Sequence, residues 1–242
     1  MPHHTAHTPE TPSRRRSWQM FDRIAWRYDL LNRLLSLGRD VAWRKRLANH
    51  LPPGEQLHVL DVGTGTADVL LFLHAACSRI GLGVGVDMSF GMLGYGMRKV
   101  RECGEQGRFR LVRGDAVDLP VRANAFDAAT IAFGIRNVAD AAAGLREMYR
   151  ALKPGGRVLI LEFSLPRNRL VRWGYLVYFR HVLPRIGGLV SGDAPAYRYL
   201  NETVETFPYG EAFCTLLRGA GFREVKALPY TFGIATLYIG EK

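Results

Sequence analysis

The sequence is poor in cysteine and has no long apolar run. Its three cysteines, Cys77, Cys103 and Cys214, are far apart and show no CxxC spacing, which argues against a disulfide framework or a structural zinc site and favours a reducing compartment. No apolar run approaches the roughly 18 residues of a membrane-spanning helix, and the arginines at 14–16 do not precede a signal-peptide core. We therefore expect a cytoplasmic protein that is neither exported nor membrane-spanning.

Acidic residues are also scarce relative to basic ones. The chain has 33 Lys and Arg against 22 Asp and Glu, which gives a net charge of +11. This excess attracts nucleic acids, anionic membranes and acidic substrates through the same long-range field, and it is equally compatible with no polyanionic partner. Charge alone does not choose among them. With 242 residues and 48% apolar content, the chain is long enough to bury one α/β core as a single domain.

The first sixteen residues differ from the rest of the chain. They contain three histidines, three prolines and little apolar surface, too little to offset the entropy of ordering. We therefore predict a disordered tail over 1–16 and one domain over 17–242. No further ligands at matching spacing follow His3, His4 and His7, so we predict no metal site.

After the tail, strand-like and helix-like patterns alternate. Apolar residues at helical spacing predict a helix or helix pair before the first strand, namely Trp18, Phe21, Ala25, Tyr28, Leu31 and Leu35. Buried-strand patterns follow at 57–62, 82–87, 108–116, 126–133 and 157–163. Helices are expected from about Ala67, through Met92 and Met97, and after the N-cap residue Asp140.

This alternation predicts a parallel, doubly wound sheet, because parallel neighbours need crossover connections. The end of the chain differs, since two strand-like runs, 222–230 and 233–242, are only a couple of residues apart and should pair antiparallel. We predict an α/β, Rossmann-like fold that ends in an antiparallel hairpin. Such an ending is typical of methyltransferases and unusual in dehydrogenases.

The turn after the first strand predicts a nucleotide-like pocket. Ligands of open α/β sheets lie beyond the carboxyl ends of the strands, where Gly63 and Gly65 let the backbone approach without a clashing Cβ. Asp61 precedes these glycines. Its carboxylate would repel a pyrophosphate but suits a cofactor with amino and sulfonium groups, which favours S-adenosylmethionine over NAD.

Two further acidic positions extend this pattern. Asp87 closes the second strand, where a carboxylate can accept hydrogen bonds from both ribose hydroxyls of an adenosine. The alternative is that it caps the next helix, a role that Ser89 can also take. Asp115, at the end of the third strand, can accept a hydrogen bond from an adenine amino group, and the small Ala116 leaves room for the adenine ring.

Several longer segments resemble the menaquinone and ubiquinone biosynthesis C-methyltransferases, from about Trp18 to the end of the chain. These segments are YDLLNRLLSLGRDVAW at 28–43, LDVGTGTAD at 60–68, GDAVDLP at 114–120, FDAATIAFGIRNV at 126–138, RALKPGGRVLILEFS at 150–164, HVLPRIGGLV at 181–190 and AYRYL at 196–200. The resemblance implies a class I methyltransferase with a seven-stranded, mostly parallel sheet and a helical cap. It also implies S-adenosylmethionine as cofactor and a polyprenylated quinol as substrate.

The same resemblance assigns residues one position at a time. It implies that Thr66, Asp87, Asp115 and Ala116 contact the cofactor, and that Asp61, Gly63 and Gly65 shape its loop. This chain departs from the family pattern at four positions, namely Leu31 for a usual Met, Asp40 for a usual His, Ala67 for a usual Gly and Ala132 for a serine of some members.

The quinol implied as substrate becomes nucleophilic at a ring carbon as a phenolic proton leaves, so a base or an activated water should lie nearby. We predict that Arg136 stabilises the developing phenolate and that Asn137 orients the water. The alternative is a structural ion pair of Arg136 with Asp115 or Asp140. His181 and Tyr28 are further candidates for proton handling, although each is more often a packing residue.

An apolar, arginine-containing insertion lies at about 164–207. We predict that it forms a lid or groove for an isoprenoid tail and that its arginines, Arg169, Arg172, Arg180 and Arg185, face anionic headgroups. The alternative is a helical cap that fills the core or a dimer interface, so a homodimer remains open. An RNA methyltransferase is disfavoured, because no RNA-binding module or base-specific catalytic tetrad is visible, and we expect no nucleic-acid partner. A protein that only binds the cofactor and recruits partners remains the non-enzymatic alternative.

Overall fold

The computed structural model describes residues 17–25, 28–36, 38–182, 199 and 203–242. The predicted tail over 1–16 and residues 183–198 and 200–202 of the predicted insertion lie outside this part of the chain. The strands are β1 (Leu57–Val62), β2 (Ile80–Asp87), β3 (Phe109–Arg113), β4 (Phe126–Ala132), β5 (Leu152–Phe163), β6 (Arg223–Tyr230) and β7 (Ala235–Glu241). The helices are α1 (Ser17–Ile24), α2 (Tyr28–Leu35), α3 (Asp40–Arg46), α4 (Asp68–Ala76), α5 (Phe90–Glu102), α6 (Ala141–Ala151), α7 (Arg169–Val177) and α8 (Glu211–Gly219).

All these strands form one sheet in the order β3-β2-β1-β4-β5-β7-β6. Strands β1 to β5 pair in parallel, whereas β7 runs antiparallel to both β5 and β6. The predicted α/β class and the closing hairpin are therefore confirmed. Two boundaries differ from the prediction by more than two residues, since β3 ends at Arg113 rather than 116 and β5 begins at Leu152 rather than 157. Strand β3 ends early because Gly114 leads into a tight turn that is closed by a bridge between Asp115 and Asp118.

Helices cover both faces of the sheet, so its central strands are buried on both sides. In β1, Val59 belongs to the apolar cluster that includes Leu70 of α4, and the next residue, Leu60, belongs to a second cluster that includes Leu145 of α6. All four side chains are fully buried. This double burial explains why β1 reads as a continuous apolar run rather than as an alternating pattern.

The predicted N-terminal helix pair is confirmed as α1 and α2, and acidic side chains tie both helices to the sheet domain. Asp22 of α1 accepts hydrogen bonds from the Ser89 hydroxyl and, at 2.9 Å, from the Gly91 amide at the start of α5. Asp29 of α2 accepts one from Lys99 Nζ at 2.6 Å. These contacts hold the pair against α5. No helix in the described ranges is long and apolar enough to span a bilayer.

Candidate active site

A cavity of about 650 Å³ opens at the carboxyl ends of β1, β2, β3 and β4. This is the edge at which open α/β sheets bind their ligands, and the volume is ordinary for a small-molecule site. Ser17, Trp18 and Phe21 of α1 line the cavity from above. The helix that precedes the sheet in sequence therefore forms a wall of the site.

The glycine loop between β1 and α4 forms one wall of the cavity. Gly63 and Gly65 line it and have φ values of +60° and +55°, a left-handed backbone that suits glycine. Beneath the loop, the Asp61 carboxylate accepts hydrogen bonds from the hydroxyls of Thr64 at 2.7 Å and Thr130 at 2.6 Å. Burial raises the pKa of Asp61 to about 7, against the opposing effect of these two hydrogen bonds. Asp61 thus shapes the loop from below and does not line the cavity.

Asp87 lines the cavity at the end of β2 and joins two loops. One carboxylate oxygen accepts from the Gly65 amide at 2.8 Å, and the other accepts from the Ser89 amide at 2.8 Å. Ser89 caps α5, because its hydroxyl accepts from the Met92 amide. Burial raises the pKa of Asp87 and the nearby Asp22 adds to the rise, whereas the amides lower it.

Asp115 and Ala116, which follow β3, line the same cavity. The Asp115 carboxylate accepts from the Val117 amide at 3.1 Å, which fixes its direction. The structure therefore brings six of the nine predicted site residues to one cavity, namely Gly63, Gly65, Asp87, Asp115, Ala116 and Asn137. The other three, Asp61, Thr66 and Arg136, lie behind its walls.

Thr66 is buried beneath α2 rather than in the cavity lining. Its hydroxyl donates to Asp29 at 2.8 Å and accepts from Lys99 Nζ at 2.9 Å. Lys99 also donates to Asp68 at 2.6 Å, so one cation bridges two acidic side chains from different helices. Sequence reasoning missed this network because its members come from α2, α4 and α5 and form no local motif.

Arg136 forms a buried ion pair with Glu162 at the end of β5. Its Nη1 lies 2.5 Å from a Glu162 oxygen and also donates to the Phe133 carbonyl at 2.8 Å, and the two side chains are only 4% and 2% exposed. Burial raises the pKa of Glu162, while Arg136 opposes the rise. The alternative pairing of Arg136 with Asp115 or Asp140 is wrong. Glu162 had a signal in the sequence, since it is the one acidic residue in the apolar run RVLILEF.

Asn137 presents an unpaired acceptor at the cavity wall. Its Oδ1 is buried and has no hydrogen-bond partner within the described structure. A buried acceptor without a partner costs free energy unless a donor reaches it. The atom is therefore suited to accept a hydrogen bond from a hydroxyl group or from a water in the cavity.

Aromatic side chains complete the wall next to Asn137. Phe133 lines the cavity and stacks on Phe163 with ring centroids 4.4 Å apart, and Trp43 packs edge-on against Phe163 at 6.3 Å. His181 is exposed in the turn Tyr178–Val182 and is not a cavity-lining residue. The side chain of Tyr28 lies outside the described structure.

Comparisons with known proteins identify the family of the chain. The model of the ubiE/COQ5 methyltransferase family matches residues 11–242. A ubiquinone/menaquinone biosynthesis C-methyltransferase from Syntrophotalea carbinolica is 49% identical over 91% of this chain and 92% of its own length. A demethylmenaquinone methyltransferase from Thermus thermophilus is 45% identical over 92% of this chain and 100% of its own length.

Solved structures support the fold independently of sequence. A SAM-dependent methyltransferase from Thermotoga maritima superposes with a TM-score of 0.65 at 20% identity, and the match covers 93% of this chain and 99% of that one. At this identity the likeness shows the fold alone, since one fold hosts many functions. The family match and the curated relatives are more specific. The chain therefore belongs to the ubiE/COQ5 methyltransferase family, enzymes that take the methyl group from S-adenosylmethionine.

Proposed function

We propose that this methyltransferase methylates a ring carbon of a polyprenylated quinol, most specifically demethylmenaquinol, which becomes menaquinol. The name of the Thermus relative supports the naphthoquinol, and that of the Syntrophotalea relative extends to ubiquinone and hence to a benzoquinol. The observation that carries the proposal is the composition of one cavity. It combines acceptor carboxylates and glycine backbone, which suit the cofactor, with the unpaired buried oxygen of Asn137, which suits a hydroxylated acceptor.

The cavity lining fits S-adenosylmethionine, which when bound supplies an electrophilic methyl group on a sulfonium. Asp87 accepts hydrogen bonds from the ribose hydroxyls, because its two oxygens retain free lone pairs beside the amide bonds they already accept. Asp115 accepts from the adenine amino group, and Ala116 leaves room for the ring. Gly63 and Gly65 allow the backbone to approach the cofactor closely.

Asp61 and Thr66 support this site from behind the loop. Asp61 holds the loop residue Thr64 by a hydrogen bond, and Thr66 is held by Asp29 and Lys99. We expect both to affect cofactor affinity by fixing the loop. Their contribution is then one of positioning.

The residues after β4 handle the acceptor. Asn137 Oδ1 accepts a hydrogen bond from a quinol hydroxyl or from the water that takes its proton, which raises the electron density of the ring. Arg136 acts from behind the wall, since it holds the Phe133 carbonyl and so fixes the turn that carries Asn137. Its positive charge also favours the phenolate, although Glu162 offsets part of that effect.

Positioning and exclusion of water account for the remaining acceleration. A methyl transfer needs the ring carbon in line with the bond that breaks, so a rigid pocket does much of the catalysis. Trp18 and Phe21 line the cavity and provide apolar ring surface for an aromatic substrate, whereas Phe133, which is 1% exposed and stacks on Phe163, makes the wall rigid.

The expected setting is the cytoplasmic face of a membrane, where a polyprenylated quinol resides. The insertion at about 164–207 serves as the substrate-binding part of the single domain over 17–242. Arg169 and Arg172 are exposed on α7, as contact with headgroups requires, whereas Arg180 is paired with Glu205 and Arg185 lies outside the described residues. A homodimer stays a prediction that sedimentation analysis would test, and no nucleic-acid partner is expected.

The test is transfer of label from radiolabelled S-adenosylmethionine to reduced demethylmenaquinol in detergent micelles. Oxidised demethylmenaquinone is the matched control, since it lacks the phenolic proton. Asp87→Ala is the control for the cofactor site. A polyprenyl benzoquinol forms a parallel arm that separates the two acceptor rings.

We expect label in the quinol and little in either control. Faster transfer to the benzoquinol would move the substrate to the ubiquinone ring. Cofactor binding with no transfer to any quinol would refute the proposal and favour the alternative of a protein that binds the cofactor without turnover.

A further inference from the structure

Helix α7 exposes an apolar face to solvent. Leu170, Trp173 and Val177 recur at the i, i+3, i+7 spacing of one helix face, and Leu170 and Trp173 are 76% and 66% exposed. The opposite side is anchored, because Tyr175 and Phe179 are buried in the apolar cluster that also contains Phe163 of β5. The helix is therefore fixed in place with its apolar face outward.

A second apolar group projects from the turn between β6 and β7. Phe232 is 80% exposed, and both Phe232 and Thr231 have a left-handed backbone, with φ values of 58° and 44°. That conformation is unfavourable for residues with side chains, so it persists only where the surroundings enforce it. Here Trp43 Nε1 donates to the Thr231 hydroxyl at 2.9 Å and the Ser164 hydroxyl donates to the Gly233 carbonyl at 2.8 Å.

The turn that carries Phe232 is close to the start of α7. A Cβ on Gly233 would be 3.4 Å from the Pro166 Cα and 3.9 Å from the Arg167 nitrogen, and α7 begins at Arg169. The turn at Phe232 therefore adjoins the segment that leads into the helix. Four exposed large apolar side chains, namely Leu170, Trp173, Val177 and Phe232, form what we call the apolar face.

Basic side chains surround the apolar face. Arg167 and Arg169 are exposed, and neither has a carboxylate within ion-pairing distance in the part of the chain that the structure describes, whereas the exposed Arg172 is near enough to Glu205 to lower its pKa. On the other side of the turn, the Arg46 guanidinium lies 5.5 Å from the centroid of the Tyr230 ring. An apolar surface with exposed arginines beside it complements an anionic lipid surface, in which acyl chains lie beneath phosphate groups.

We propose that the apolar face docks this enzyme on an anionic lipid bilayer, with Phe232 and Trp173 inserted at the headgroup level. The inference deepens the proposed function, on which it rests for the lipid character of the substrate. It assigns the contact to α7 together with the β6–β7 turn, two parts of the chain more than fifty residues apart. The surrounding arginines then lie against the phosphates.

A second copy of the chain is a poorer occupant of the apolar face. A two-fold interface places the same patch of both copies together, which would bring Arg167 and Arg169 of one copy near those of the other. Like charges at an interface disfavour association. An anionic lipid surface turns the same arginines into favourable contacts, at roughly fivefold in binding for each residue near the surface.

The test is sedimentation of the full chain with vesicles of pure phosphatidylcholine or of phosphatidylcholine with phosphatidylglycerol. The variants Phe232→Ser and Trp173→Ser remove one exposed aromatic each and leave the buried core intact. The matched control is Phe90→Ser, because Phe90 is also an exposed aromatic, at 68%, but follows β2, three strands from β5 in the sheet. Methylation of a short-tailed, water-soluble demethylnaphthoquinol by each variant reports on folding and on the site.

We expect binding to anionic vesicles that weakens with salt, with a loss of about tenfold for each aromatic of the apolar face. Phe90→Ser should bind as the unmodified chain does, and activity on the short-tailed substrate should be unchanged in Phe232→Ser and Phe90→Ser, whose positions lie outside the insertion. The proposal is overturned by unchanged vesicle binding of the Phe232→Ser, Trp173→Ser double variant, or by an equal loss in Phe90→Ser. It is also overturned if the unmodified chain is a dimer, the double variant is a monomer and neither of them binds vesicles. Vesicle binding by a chain that methylates no quinol would instead count against the proposed function alone.

Discussion

Replacement of Arg136 by methionine is a direct test of how the site is built. Methionine fills a similar length of side chain but removes the positive charge that faces Glu162, which is 2% exposed. A buried carboxylate without its partner is strongly unfavourable. Breaking a buried ion pair typically costs about 3–5 kcal/mol, and loss of the hydrogen bond to the Phe133 carbonyl adds about 1 kcal/mol. We expect Arg136→Met to lower the free energy of unfolding by about 4–6 kcal/mol at pH 8.

The loss of unfolding free energy in Arg136→Met should become smaller as the pH falls. Arg136 lowers the pKa of Glu162 and burial raises it, so removing Arg136 leaves burial unopposed and raises that pKa further. In the folded variant Glu162 then takes up a proton at a pH where the Glu162 carboxyl of the unfolded chain is still ionised. The free energy of unfolding of the variant is therefore highest at low pH and falls as the pH rises towards the raised pKa of Glu162.

The assay is urea unfolding followed by tryptophan fluorescence at pH 8 and pH 5.5. Trp43 is a local reporter, because it packs on Phe163 beside the pair. The double variant Arg136→Met, Glu162→Leu is the matched control, since an apolar pair of similar volume often replaces a buried ion pair without loss. The reasoning is refuted if the single variant loses less than about 1 kcal/mol at pH 8, or if the double variant is no more stable than the single one.

Three further predictions concern the cavity wall and the residues behind it. Asn137→Leu should lower kcat by about 100-fold, while the Kd of the cofactor, measured by calorimetry, should be nearly unchanged. The thermal midpoint of unfolding should not fall, because Asn137 Oδ1 has no hydrogen-bond partner to lose. Asp61 releases its proton at about pH 7 when folded and near 3.8 otherwise. Its contribution to stability is thus present below pH 4 and falls by ~4 kcal/mol towards pH 7, and urea titrations should show that Asp61→Asn removes this slope. Lys99→Met leaves Asp29 without its cation, so trypsin should cleave the α1–α2 segment several-fold faster than in the unmodified chain. The matched control is the exposed Arg98→Met, which should be cleaved at the rate of the unmodified chain. Equal cleavage rates in the two variants would contradict the role of Lys99.

Periodicity and turn chemistry were enough to predict the order of the elements. The apolar run at 57–62, the glycines after it and the N-cap Asp140 are local signals, and each acts within a few residues in the structure. The closing hairpin was predictable for the same reason, because only a short turn separates its strands. Asp87 and Asp115 could be placed at the cavity because the carboxyl ends of parallel strands meet at one edge of the sheet.

The partners of the buried side chains were not predictable, because they come from distant parts of the chain. Arg136 pairs with Glu162 of the neighbouring strand rather than with an acid of its own loop. Thr66 bonds to Asp29, which precedes it by 37 residues. Such pairings depend on which strands and helices become neighbours.

The amino-acid sequence by itself therefore determined the α/β fold, the glycine and acid positions of the cofactor loop and the family. Its signals are local spacings, which the backbone converts into helices, strands and turns without reference to the rest of the chain. Only the tertiary structure decided that α1 covers the cavity, that Asn137 Oδ1 lies unpaired in its wall and that Phe232 projects beside α7. These features depend on the burial and desolvation of side chains that become neighbours only after the sheet is assembled.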